Sequence, residues 1–147
     1  MIDVKKILVP TDFSKYSDMA LSEALEIAET FDSKIYLVHV IRSETGFSIM
    51  ETFDEPTQKK IHQQLDQKTA AAFKRQIEKF PLSKKIEIIT EVSKGVPYKE
   101  ILEFQKHIDP DVLVIGAHGR SGFEDFFFGS TSEKIVRRAT CSVLLVK

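Results

Sequence analysis

Short apolar runs alternate with longer amphipathic stretches along the chain. The runs are Ile7–Pro10, Ile35–Ile41, Ile86–Val92, Val112–Ile115 and Val143–Val146. Their length, β-branching and turn-like flanks mark strands. Most are nearly continuous in apolar character, the pattern of strands covered on both faces, as in parallel α/β sheets. The third run carries Glu87 and Glu91; one wetter face places it at a sheet edge. Between the runs, apolar residues recur at three- and four-residue spacing, the mark of helices. The first helix is expected from Ser14 to Phe31, with Ser14 or Ser17 as its cap. The second is expected from Glu55 to Phe80, turning Ile61, Leu65, Ala72, Phe73, Ile77 and Phe80 inward. Pro97 opens a third, with Ile101, Phe104 and Ile108 on one face. A fourth spans Ser130–Ala139, with Ile135, Val136 and Ala139 inward. Ser43–Asp54 lacks periodicity and is expected to be a mobile loop.

The resulting order, βαβαβαβαβ, implies one parallel sheet with right-handed crossovers. At 147 residues, with no repeat or linker, residues 1–147 are expected to form a single domain. The net charge of -1 argues against a sequence-independent nucleic-acid binder. A single cysteine, Cys141, excludes a disulfide framework within the chain and fits a reducing compartment. No apolar run approaches the ~20 residues needed to span a bilayer. A cytoplasmic location is the expectation, without membrane or nucleic-acid partners.

Open α/β sheets bind ligands beyond the carboxyl ends of their strands, where the strand order reverses. With five strands in the common order 3-2-1-4-5, the reversal lies between the first and fourth. The loop after the first strand is Pro10-Thr11-Asp12-Phe13-Ser14; the loop after the fourth begins at Gly116. Four of the six glycines fall between Gly116 and Gly129. Neither a dinucleotide fingerprint nor a P-loop is present. What stands instead is Gly116, two residues, Gly119, nine residues, Gly129-Ser130. Glycines remove side chains that block a phosphate from backbone N–H groups. Ser130-x-x-Glu133 is a capping-box pattern, and a helix start offers free N–H donors to an anion. Taken singly, each piece also reads as ordinary loop or cap geometry; the combination at one sheet end carries the ligand reading.

At these residues the chain resembles universal stress proteins of the UspA type. The resemblance runs from ILVPTDFSKYSDMAL through KIYLVHVI and SKGVPYKEIL to DPDVLVIGAHGRSGFEDFFFGSTSEKIVRRATCSVLLVK. Its glycine spacing is similar to that of the family's ATP-binding branch. The resemblance implies a Rossmann-like α/β sheet with helices on both faces, adenine-nucleotide binding, a homodimer and a role in stress survival. It implies that Pro10, Thr11 and Asp12 line the adenosine site and that the Val40 backbone meets adenine. Ile115, Gly116 and Gly119 would border the ribose and first phosphates, with Arg120 beside them. Gly129, Ser130 and Thr131 would hold the later phosphates. ATP would be bound with Mg²⁺ or Mn²⁺ held through those phosphates. Two departures stand out. Ser142 replaces a proline common in the family, and the spacer carries Glu124 and Asp125 followed by Phe126-Phe127-Phe128.

A nucleotide-binding sensing module is the leading expectation. An enzyme, at most a slow ATPase using Asp12 or His118, is the second: phosphoryl transfer needs an in-line geometry and a water-orienting group, and no base–orienter pair stands out. An ATP-independent interaction protein is the third. An apolar edge such as Val143–Val146 is a liability unless paired, and homodimerisation there is expected. A charge at Leu144 or Leu145 is then expected to yield monomers. The four histidines lack zinc-ligand spacing.

Overall fold

The apolar runs fold as strands because their branched side chains find cover on both sides. β1 (Lys6–Pro10), β2 (Lys34–Arg42), β3 (Ile88–Gly95), β4 (Val112–Gly116) and β5 (Ser142–Val146) form one parallel sheet in the order β3-β2-β1-β4-β5. The helices are α1 (Lys15–Phe31), α2 (Glu55–Glu78), α3 (Pro97–Ile108) and α4 (Ser130–Arg138). The computed structural model describes residues 3–43, 49–119 and 129–147. The architecture is the expected Rossmann-like α/β fold, with helices on both faces of the sheet.

Strand alternation sorts the core into two layers. Ile7, Val9, Ile35, Leu37 and Val114 face α1, which supplies Ala20, Leu21, Ala24, Leu25 and Ala28; α2 adds Phe73. Leu8, Val38, Leu113 and Ile115 face the other way, against Ile101 and Ile108 of α3 and Ile135 of α4. Each fully buried Leu, Ile or Val contributes roughly 1.5–3 kcal/mol. β1 and β4 are therefore apolar and buried on both sides, while the edges β3 and β5 are not. β3 alternates between half-buried and exposed residues, as an edge strand does.

The helix ends follow local chemistry. Ser14 caps α1, its hydroxyl accepting from Ser17 N at 3.3 Å. Asp54 caps α2 by accepting from Thr57 N at 3.2 Å. α1 and α3 both end on an aspartate in the left-handed region, Asp32 at φ 56° and Asp109 at φ 52°. Asp111 then clamps the start of β1: its Oδ2 accepts from Lys5 N at 2.8 Å and Lys6 N at 2.9 Å.

Several sequence expectations are corrected. The third strand begins at Ile88, not Ile86, and runs on to Gly95, because a 3₁₀ turn over Pro81–Lys85 precedes it and its pairing follows β2 out to Arg42. α2 stops at Glu78 because Phe80 and Pro81 open that turn. Its buried side is narrower than its apolar pattern: Thr69, Phe73 and Gln76 are buried, whereas Ile61, Leu65, Ala72, Ile77 and Phe80 are half-buried. On α3 Gln105 is buried and Phe104 half-buried. On α4 Ser132 and Ile135 are buried and Val136 is 41% exposed. Within the expected loop at 43–54, Ile49–Thr52 forms a 3₁₀ turn; residues 44–48 lie outside the described ones. Cys141 is half-buried, and burial pushes its thiol pKa up. Among the described residues no helix is long and apolar enough to cross a membrane.

Candidate functional site

The reversal of strand order places the ends of β1 and β4 side by side, and the loops leaving them diverge to opposite faces. A cavity of about 340 Å³ opens there, within the ~300–1,000 Å³ range of small-molecule sites. Its wall contains Pro10, Thr11 and Asp12 from β1 and the loop after it, and Val40 from β2. Ile115, Gly116 and Gly119 join from β4 and its loop, and Gly129, Ser130 and Thr131 from the start of α4. Arg120 and the spacer residues Glu124, Asp125 and Phe126–Phe128 lie outside the described residues.

The loop after β1 is held by its own side chains. Phe13 N donates to Thr11 Oγ1 at 3.0 Å, and Ser14 N donates to Asp12 Oδ1 at 3.0 Å. These two interlocked side-chain turns stand in for the backbone bonds a tight turn lacks. They force Phe13 to φ 64°, a left-handed conformation that costs a non-glycine residue about 1–2 kcal/mol. The Phe13 ring offsets this by packing 4.5 Å from the His39 ring and 5.2 Å from that of Phe73. Thr11 Oγ1 donates to Gln76 Oε1 at 2.9 Å, since that amide oxygen only accepts. Ser17 Oγ donates to Asp12 Oδ1 at 3.1 Å. Gln76, 2% exposed, thus ties α2 to the site loop.

His39 lies across β2 from this loop. Its Nδ1 is 2.7 Å from the Thr11 carbonyl oxygen. A carbonyl only accepts, so Nδ1 carries a proton and donates it to Thr11.

The glycines have separate reasons. A Cβ on Gly116 would stand 2.8 Å from the Tyr16 carbonyl oxygen, so α1 and β4 approach too closely for any side chain. A Cβ on Gly119 would stand 2.8 Å from Asp12 Oδ2. Gly129 differs: a Cβ there would meet nothing nearer than 3.8 Å, and its φ of −62° suits any residue. The protein itself therefore explains Gly116 through rigid backbone, and Gly119 only through the tip of the Asp12 side chain. It offers no packing reason for Gly129.

The start of α4 is stitched to the sheet. Gly129 N–H donates to Ala117 O at 2.7 Å, and Ala117 N–H donates to Val146 O at 2.7 Å. Ser132 Oγ donates to Gly116 O at 2.8 Å. The expected capping box does not form. Gly129 is the N-cap without a side-chain bond, Ser130 is the first helical residue, and Glu133 pairs with Arg137 at 3.1 Å. The first N–H groups of α4 have no acceptor within the helix, and they open beside the cavity that Ser130, Thr131 and Ser132 line. That end carries partial positive charge.

The wall also holds residues outside the sequence-derived binding set, among them Ser17, His39, Arg42, Pro97, Ile101 and His118, the last named from the sequence only as an ATPase candidate. His39 and Arg42 were discoverable as neighbours of Val40 at the carboxyl end of a strand. Pro97 and Ile101 were not, because only the packing of α3 over β2 brings them in. His118 lines the cavity with its ring 5.3 Å from that of Tyr16.

Fold and cavity define an open α/β protein with a cleft at its switch point, bordered by the start of α4. The chain belongs to the universal stress protein family, whose sequence pattern matches residues 3–147. It is 33% identical over 143 residues to the universal stress protein MJ0531 of Methanocaldococcus jannaschii, covering 97% of this chain and 82% of that one. The fold is shared with the universal stress protein UspA of Lactobacillus plantarum, at TM-score 0.80, 24% identity and full coverage of both chains. An Archaeoglobus fulgidus universal stress protein in complex with dAMP superposes at TM-score 0.66 and 19% identity, over 99% of this chain and 100% of that one. A universal stress protein in complex with cAMP does so at TM-score 0.69 and 21% identity, over 99% of this chain and 98% of that one.

Proposed function

We propose that this chain is an adenine-nucleotide-binding sensing module, with ATP as its ligand, acting as a homodimer in the cytoplasm. The carrying observation is the convergence of the Pro10–Asp12 loop, Gly119 and the open start of α4 on one cavity. The dAMP and cAMP complexes of proteins with the same fold support the choice of base. Val40 at the mouth of β2 offers backbone groups to adenine, and Asp12 a carboxylate to the ribose hydroxyls. Ser130, Thr131 and the first N–H groups of α4 receive the phosphates. Among the described residues, Asp12 is the sole carboxylate of the wall. That donor set suits Mg²⁺ held chiefly by phosphate oxygens, with one carboxylate at most, which is how Mg²⁺ commonly binds. The homodimer forms along β5, whose outer edge carries Leu144, 39% exposed.

The test is mass spectrometry of small molecules released from the purified protein, with thermal melting against added ATP. Co-purifying adenine nucleotide, or a melting temperature that climbs with ATP and saturates, is expected. Absence of both overturns the reading.

A further inference from the structure

Past Arg42, Pro97, Ser130 and Thr131 the cleft continues into a second hollow of about 370 Å³, to which Tyr98 and Lys134 are added. Its chemistry differs from that of the first cavity. Asp12 belongs to the first wall. The described residues of the second include two cations, Arg42 and Lys134, three hydroxyl-bearing residues, Tyr98, Ser130 and Thr131, and no carboxylate. Tyr98 stands on the first turn of α3 and faces α4: Lys134 Nζ lies 4.5 Å from its ring centroid and Arg138 Cζ 5.1 Å. The negative face of the ring holds these cations in place. Glu133, the acid of α4, is engaged by Arg137 rather than by Lys134. Arg42 comes from the end of β2, so sheet and helix each supply a cation to one hollow. A Lys point charge, an Arg fork and hydroxyls are what phosphate recognition uses. The volume exceeds that of one phosphate: at ~30 Å³ of liquid per water it equals on the order of a dozen waters.

We infer that the hollow bounded by Arg42, Tyr98 and Lys134 is a second anion subsite, taking phosphate groups that extend beyond those seated in the first cavity. It makes the chain select for the length of a phosphate chain. The first half of such a ligand rests on the nucleotide reading above; the subsite itself does not.

The experiment is calorimetric titration of the full chain, at fixed free Mg²⁺, with AMP, ATP, adenosine 5′-tetraphosphate and inorganic tripolyphosphate. Wild type, Lys134→Gln and Lys134→Arg are compared, each checked by circular dichroism. Wild type is expected to bind the tetraphosphate about tenfold more tightly than ATP. Lys134→Gln should remove most of that advantage while leaving AMP affinity unchanged, and Lys134→Arg should keep most of it. An equal loss for AMP and tetraphosphate, or a ratio that Lys134→Gln does not move, overturns the subsite. ATP binding without any tetraphosphate advantage also overturns it and leaves the nucleotide reading standing. Tripolyphosphate binding that depends on Lys134, with no binding of AMP or ATP, supports the subsite and removes the nucleotide reading.

Discussion

At the scale of single residues, glycines of one motif answer to different constraints. Gly116 is required by the carbonyl of Tyr16. Gly116→Ala is expected to destabilise the protein by about 1–3 kcal/mol, the usual cost of overpacking. Gly129 has ordinary space around it and a backbone conformation open to alanine. Gly129→Ala should leave the unliganded stability unchanged or raise it by about 0.4–1 kcal/mol. On the proposed function it should weaken ATP about tenfold, since a methyl then stands where the phosphates approach the N–H groups. Urea titrations and calorimetry on both variants separate the two roles; equal ATP affinity in Gly129→Ala and wild type would contradict the one given to Gly129. The spacing of these glycines was legible in the sequence. Their reasons were not, because Tyr16 and Asp12 lie in a distant segment that only folding brings near.

Asp111 gives a second residue-scale prediction. The backbone N–H of Lys6, then that of Lys5, lowers its carboxyl pKa below the ordinary value of 3.8, against a smaller opposing effect of burial. A depressed folded pKa means the stabilisation is present above the unfolded value. It is lost as pH falls from about 4 through the folded pKa. Asp111→Asn keeps an acceptor for the two N–H groups but cannot titrate. Its urea midpoint should therefore fall less steeply than wild type between pH 5 and pH 2.5, and parallel curves would count against the clamp.

At the scale of elements, the edge strands differ from the sheet centre in how far their side chains are covered. Leu144 and Leu145 are adjacent in β5 yet unlike: Leu144 is exposed, while Leu145 is half-buried against the α3 and α4 layer. A charge at Leu145 would strike the core, so Leu144→Lys is the cleaner probe of the proposed dimer. Light scattering should report a monomer with an unchanged far-ultraviolet spectrum; a folded dimer would exclude this edge. The strands of the sheet centre were legible because β-branched, doubly covered runs such as Val112–Ile115 leave little alternative. β3 was legible as an edge but not in its limits, because register there is set by β2 and by the turn at Pro81. The start of α4 was legible in position and not in chemistry. Ser130 looked like a cap, but the bond from Gly129 N–H to Ala117 moves the cap back by one residue.

At the scale of the whole molecule, the cleft is assembled from both halves of the chain, and a ligand there stabilises the fold as a unit. At a hundredfold excess over Kd, a ligand specific to the folded state adds about 2.7 kcal/mol. For a domain near this size that corresponds to a melting shift of about 5–10 °C. The switch-point location was legible from the βα alternation alone. The share of α3, through Pro97 and Ile101, was not, because an amphipathic pattern tells that a helix packs and not over which strand end.

The strand order has a consequence for the history of the molecule. Ile7 pairs with Ile35 on one side and with Val112 on the other. While a chain is being made, β1 gains its first neighbour early and its second only after α2, β3 and α3 have emerged. Through that interval an apolar strand lies uncovered along one side, the kind of exposure that invites aggregation. Its cover, β4, is also the strand that completes the cleft. The moment when the nascent protein becomes safe from its neighbours and the moment when its cleft takes shape are thus nearly the same, and on the proposed function nucleotide can reward only a chain that has already closed its sheet.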